Sequence, residues 1–192
     1  DAAGVTVQTL HSLAMRLTGT SYAVALERGE SIDFSAVIRQ ATQRLQRGAS
    51  SEDDEAAAAR DRLLAGLRFL LVDEYQDINA EHYALICALA GRTLAAEDDR
   101  LSLMAVGDDD QNIYAFGGAS VRFIRQFETD YQARRYQLLE NYRSSGHIID
   151  CANQLIAPAR GRMKQGVELC INHARREQPP GGPWAELDSW GM

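Results

Sequence analysis

Three short stretches of the sequence gather side chains suited to phosphate chemistry. "LLVDEYQD" (70–77) ends an apolar run in the adjacent carboxylates Asp73 and Glu74. "AVGDDDQN" (105–112) ends another in Asp108, Asp109, Asp110 and Gln111, and "LLENYR" (138–143) ends a third in Asn141, Tyr142 and Arg143. In nucleotide hydrolases, one carboxylate holds the hydration shell of a magnesium ion while the next orients or deprotonates the attacking water. Asp73 fits the first role and Glu74 the second. An isolated Asp-Glu pair more often does no more than end a strand at a solvated turn; the recurrence of polar clusters behind three apolar runs favours chemistry. The third cluster is cationic and aromatic, which suits an anionic ligand that carries a base, such as a nucleotide.

The aspartate run makes a poor calcium loop, because an EF-hand spaces its ligands alternately and closes on a glutamate at its twelfth position. A two-metal nuclease or hydrolase assembled from Asp73, Glu74 and Asp108–Asp110 is a second reading. It is the weaker one, because no histidine or further carboxylate joins them at the end of the third run.

These clusters need a scaffold that brings them together. Each apolar run is short enough for a buried parallel strand, and helical stretches separate them: "AEHYALICALAG" (80–91), "SVRFIRQFETDY" (120–131) and "GHIIDCANQLI" (146–156). The order β-α-β-α-β-α predicts a parallel sheet covered by helices, with ligands beyond the carboxyl ends of the strands. Upstream, "TLHSLAMRLTG" reads as an amphipathic helix behind Thr9, and residues 21–66 as an all-helical segment. In that segment Gly48 stops one helix and Ser51 caps the next. The stretch from 158 to 192 holds all four prolines and reads as linker and partly disordered tail.

Composition sets outer limits. A chain of 192 residues, 45% hydrophobic, can bury the core of about one domain. A formal net charge of -7 argues against holding nucleic acid by bulk positive charge, so any such contact must be local. Cys87, Cys151 and Cys170 form neither a C-x-x-C pair nor an even set, which fits a reducing cytoplasm; Cys87 and Cys151 fall on apolar helix faces as packing residues. No apolar run approaches the roughly 20 residues that span a bilayer.

Four stretches, "TVQTLHSLAMRL", "LLVDEYQDIN", "VGDDDQNIYAFGGAS" and "LLENYRSSGHIIDCAN", resemble in order motifs Ib, II, III and IV of superfamily 1 DNA helicases of the UvrD/Rep/PcrA type. The second half also resembles the UvrD-like module of a RecQ-like fusion helicase. The resemblance implies an α/β fold with a RecA-like parallel sheet and a small inserted helical subdomain. It divides the chain into the end of a first motor-domain segment (1–20), the insertion (21–66), the motor core (67–157) and the start of a second motor domain (158–192). The cofactors implied are ATP and magnesium; the partners are single-stranded DNA, duplex junctions and the remaining helicase domains. By resemblance, Asp73 holds magnesium through its shell, Glu74 is the base, Gln111 senses the γ-phosphate, Arg143 reaches it, and Tyr142 stacks on the adenine. Thr9 and His11 would touch the DNA backbone, and Phe116 would offer a ring to a base.

Two departures stand out. Gly117 occupies the position where the family commonly carries arginine, and no G-x-x-x-x-G-K-[ST] phosphate loop occurs in the sequence. The expectation is therefore a piece of a 3′→5′ helicase acting in DNA repair or recombination, inactive towards ATP on its own and prone to self-association through uncovered sheet. The alternatives are a catalytically silent DNA-binding or interaction module, the metal-dependent nuclease, and a helicase–nuclease subunit.

Overall fold

The computed structural model describes residues 4–49, 54–92, 94, 100–113 and 118–172. The chain forms two compact units, Asp1–Gln126 and Phe127–Met192. Ser51, Tyr114, Phe116, Gly117 and the stretch from 173 onward lie outside the described residues.

The first unit begins with helix α1 (Leu10–Thr18), which Thr9 caps by accepting a hydrogen bond from the Ser12 amide at 3.1 Å. Leu13, Ala14 and Leu17 turn inward from it, as the spacing predicts. The all-helical segment comprises α2 (Tyr22–Glu27), α3 (Phe34–Arg47) and α4 (Asp54–Leu64). Helix α3 starts at Asp33, whose carboxylate accepts from the Ala36 amide at 2.9 Å, and buries Val37, Ile38, Ala41 and Leu45. It packs between α1 and a later helix, α5 (Ala80–Ala90), so the segment shares one core with its flanks. Fully burying a leucine such as Leu45 contributes about 1.5–3 kcal/mol. Gly48, the C-cap of α3, lets α4 approach closely: a Cβ there would come within 2.5 Å of both the Ala56 carbonyl oxygen and the Arg60 Cβ of α4.

Strand β1 (Phe69–Val72), α5 and β2 (Ser102–Ala105) form a βαβ unit, the strands parallel with Phe69 opposite Ser102 and Val72 opposite Ala105. Helix α5 is apolar on most of its circumference and buries Tyr83, Leu85, Ile86, Ala88, Leu89 and Ala90. Tyr83 stacks on Phe123 of α6 (Arg122–Tyr131) with ring centroids 5.1 Å apart.

The parallel α/β arrangement agrees with the sequence, but four expectations need correction. The third run does not join the first two: β3 (Glu140–Asn141) pairs in parallel with β4 (Cys170–Ile171), across helix α7 (Gly146–Ile156), in a separate two-stranded sheet. Leu138 is 84% exposed and outside the strand, because only the polar end of that run finds a ladder. Nor are the strands buried on both faces; Phe69 and Leu71 are each 69% exposed, since alternate side chains point away from the helical core. Finally, residues just before 172, read as linker, are held in place. Asn153 on α7 donates to the Leu169 carbonyl at 2.8 Å and accepts from the Leu169 amide at 3.1 Å, a side chain taking the place of a neighbouring strand. Cys151 is exposed, not packed, because Ile149 is the buried residue of α7; Cys87 is half-buried.

Candidate functional site

The acidic ends of β1 and β2 meet through backbone and side-chain bonds. The Val106 amide donates to the Val72 carbonyl and the Tyr75 amide to the Val106 carbonyl, both at 2.8 Å, extending the ladder past the strand ends. Asp73 is exposed and its Oδ1 accepts from the Glu74 amide at 2.9 Å. Glu74 then adopts a left-handed backbone, φ 50 and ψ 45, a conformation that costs a non-glycine residue about 1–2 kcal/mol. Strain of this kind, held by the surrounding structure, gathers at working sites.

Gln76 is the residue the sequence did not mark. It is only 2% exposed, sits in the one-turn helix Tyr75–Asp77, and faces both acidic ends. Its amide nitrogen donates to Glu74 Oε2 at 2.7 Å, and its amide oxygen accepts from the Asp108 backbone N–H at 3.0 Å. Its carbonyl oxygen accepts from the Asn112 side chain. Gly107 makes this approach possible, since a Cβ there would lie 2.9 Å from Gln76 Oε1 and 3.1 Å from the Tyr75 backbone nitrogen. Nothing in the hydrophobic pattern signals burial of a glutamine two positions after a carboxylate.

The loop after β2 is organised around Asp108. One of its oxygens accepts from the Asp110 amide at 3.1 Å and the other from the Gln111 side chain at 2.8 Å. Asp108, Asp109 and Asp110 bring ligand atoms within 4.8 Å of one another, and Asp73 and Glu74 fall outside that group. The two strand ends therefore do not share the ligands of one ion as they stand. A hydrated magnesium ion fits Asp73 better: among the described residues its Oδ2 makes no hydrogen bond and stands open to water.

In the second unit, Asn141 Oδ1 accepts from the Arg143 amide at 3.0 Å and the Ser144 amide at 2.7 Å, fixing the turn after β3. Tyr142 is 65% exposed and its hydroxyl donates to Glu140 at 2.6 Å. That hydrogen bond and the Glu140 charge push its phenol above the usual range. Arg143 is exposed, and among the described residues its guanidinium has no hydrogen bond or ion pair.

Of the residues expected at DNA, Thr9 is committed to capping α1 and His11 is half-buried between two rings, Phe34 at 5.4 Å and His82 at 5.2 Å. The structure thus unites Asp73, Glu74 and Gln111 in one unit, and Tyr142 and Arg143 in the other. No helix among the described residues is long and apolar enough to cross a membrane.

Comparison with known proteins shows the family of the chain. Residues 2–132 match the model of the UvrD/REP helicase N-terminal domain. The chain is 48% identical over 99 residues to the ATP-dependent DNA helicase UvrD1 of Mycobacterium tuberculosis, covering 51% of this chain and 13% of that protein. It is 41% identical over 127 residues to the ATP-dependent DNA helicase Rep of Salmonella typhimurium, covering 66% and 17%. With the ATP-dependent DNA helicase PcrA of Leuconostoc citreum the identity is 36% over 138 residues, covering 71% and 16%. The chain therefore spans 13–17% of the length of these relatives. With a parallel βαβ unit whose strand ends carry the acidic residues, this chain belongs to the UvrD/REP helicase N-terminal domain family.

Proposed function

We propose that this chain is part of an ATP-dependent DNA helicase, supplying the acidic edge of its nucleotide site and a DNA-facing helix. The observation that carries the reading is Gln76, which joins the Glu74 carboxylate to the Asp108 backbone and so makes the two strand ends one rigid unit. Magnesium with ATP would bring the electrophilic phosphate to this edge. Asp73 would hold the ion through its water shell, and Glu74 would take the proton of the attacking water. Gln111, held by Asp108, would lie where a terminal phosphate can be felt, while Tyr142 would face the adenine and Arg143 the phosphate charge. Thr9, His11 and Phe116 are the proposed DNA contacts. Translocation along single-stranded DNA with 3′→5′ polarity, and a place in repair or recombination, belong to the same proposal.

DNA-stimulated ATP hydrolysis by the full-length protein tests it. Glu74→Gln should abolish turnover while leaving nucleotide binding in place; unchanged turnover would sink the assignment of the base. The 192-residue chain alone, whose sequence holds no phosphate loop, should not hydrolyse ATP. DNA cleavage with magnesium and no ATP would instead support a nuclease.

A further inference from the structure

His82 is tied to two elements at once. It occupies the third position of α5, where its backbone N–H donates to Asn79 Oδ1 at 2.9 Å and its Nδ1 accepts from the Asn79 backbone N–H at 3.4 Å. This reciprocal pair is a capping box with histidine in the place where glutamate or glutamine ordinarily serves. With Nδ1 used as an acceptor, the proton of the neutral ring sits on Nε2, and that buried atom has no hydrogen-bond partner among the described residues. Burial, followed by the neighbouring His11, holds the His82 imidazole below its usual protonation range, with Glu81 pulling the other way. Arg39 of α3 engages Glu81 at 2.6 Å, so the charge nearest His82 on its own helix is already paired. The other face of the histidine meets His11 edge to face, with ring centroids 5.2 Å apart and planes at 89°. His11 is the second residue of α1, immediately behind the Thr9 cap.

We propose that His82 is a positioning residue for the DNA contact: fixed by the α5 capping box, its ring sets where the His11 ring stands. The inference rests on the reading of His11 as a DNA contact and adds the element that holds it. His82 lies only nine positions after Asp73 in the sequence, and the turn at Tyr75–Asp77 and the Asn79 cap lie between them. The segment carrying the acidic strand end therefore reaches the DNA-facing helix through this ring.

Two substitutions separate the ring from the cap. His82→Gln keeps a side-chain acceptor for the Asn79 amide and removes the ring; His82→Phe keeps a ring against His11 and removes the acceptor. Affinity of the full chain for a labelled oligothymidylate is measured by fluorescence anisotropy, beside the melting temperature and the imidazole NMR signals of His11 without DNA. The Gln variant should melt near the parent, shift the His11 signals and lose about threefold to tenfold in affinity, the worth of one contact. The Phe variant should melt lower yet keep its affinity. Affinity that follows melting temperature in both variants, or His11 signals unmoved by His82→Gln, overturns the inference. His11→Ala without effect on affinity overturns instead the reading of His11 as a DNA contact, and the His11 signals still report separately on whether His82 holds it.

Discussion

The two parallel strand pairs end in different ways. Beyond β1 and β2 the polar groups are bound to one another: Gln76 joins Glu74 to Asp108, and Asp108 in turn holds Asp110 and Gln111. Beyond β3 the backbone is fixed by Asn141, but Tyr142 and Arg143 extend from it into solvent. One end is built before any ligand arrives, and the other offers a charge and a ring to something outside itself. Preorganised groups suit chemistry, where displacement by 1 Å is expensive. An exposed guanidinium on a fixed turn suits a contact made and released as a ligand comes and goes.

The largest effect that can break this contrast is at Gln76. Gln76→Leu keeps the volume of the buried side chain and removes its bonds to Glu74 and Asp108, leaving the half-buried Asp108 N–H without this partner. A loss of about 1–3 kcal/mol in urea-unfolding stability is expected. A neutral result would mean that the first strand end is no better anchored than the second.

Asn153 provides the matching test in the second unit. Asn153→Ala removes two hydrogen bonds to Leu169 and should cost about 1–2 kcal/mol there. Amide exchange should speed up at Cys170 and Asn172, whose N–H groups bond to Leu139 and Asn141. Protection unchanged at both amides would show that β4 is held by its ladder without help from α7.

How far the sequence anticipated this contrast depends on the kind of interaction. Periodicity was enough for α1 and α3, because their buried stripes repeat every three or four residues, whereas α5, apolar on most of its circumference, was legible from its length and its closing Gly91. The carboxylates Asp73 and Glu74 were legible from their place after an apolar run. Gln76 was not: its burial comes from the close approach permitted by Gly107, 31 positions later in the chain, and such a contact leaves no local pattern. The pairing of β3 was hidden for a similar reason. A two-residue strand is chosen by its partner, and the partner lay in a stretch whose composition reads as linker.

A smaller effect sharpens the contrast through pH. The His82 imidazole is held below the ordinary value of 6.5, chiefly by burial and next by His11. The unfolded chain then binds more protons below that value, so this contribution to stability is present above about pH 6.5 and falls away as the pH drops through it. Glu81 acts lower on the scale. Burial raises its carboxyl, but hydrogen bonds from Arg39 and Ser35 and the Arg39 charge outweigh this and leave it below 4.5, so its contribution is lost only under stronger acid. Urea-unfolding stability measured between about pH 7.5 and about pH 5.5 should fall in the parent and stay flatter in His82→Gln. Equal slopes would mean that His82 is no more bound into its surroundings than an exposed histidine.

The smallest change in stability is expected at Arg143, and it bears most directly on the comparison. Its guanidinium is exposed and unpaired among the described residues, while its backbone N–H is held by Asn141 whatever the side chain. Arg143→Ala should therefore alter unfolding stability by less than about 0.5 kcal/mol. In the full-length protein the same change should lower DNA-stimulated ATP turnover by about a hundredfold or more, as loss of a charge that meets the phosphate only during reaction would. Arg143→Lys should recover little of it, since a point charge lacks the planar fork that grips two oxygens at once. Full turnover in Arg143→Ala would leave the second strand end without a chemical role, and its exposure would then be no more than that of any surface arginine.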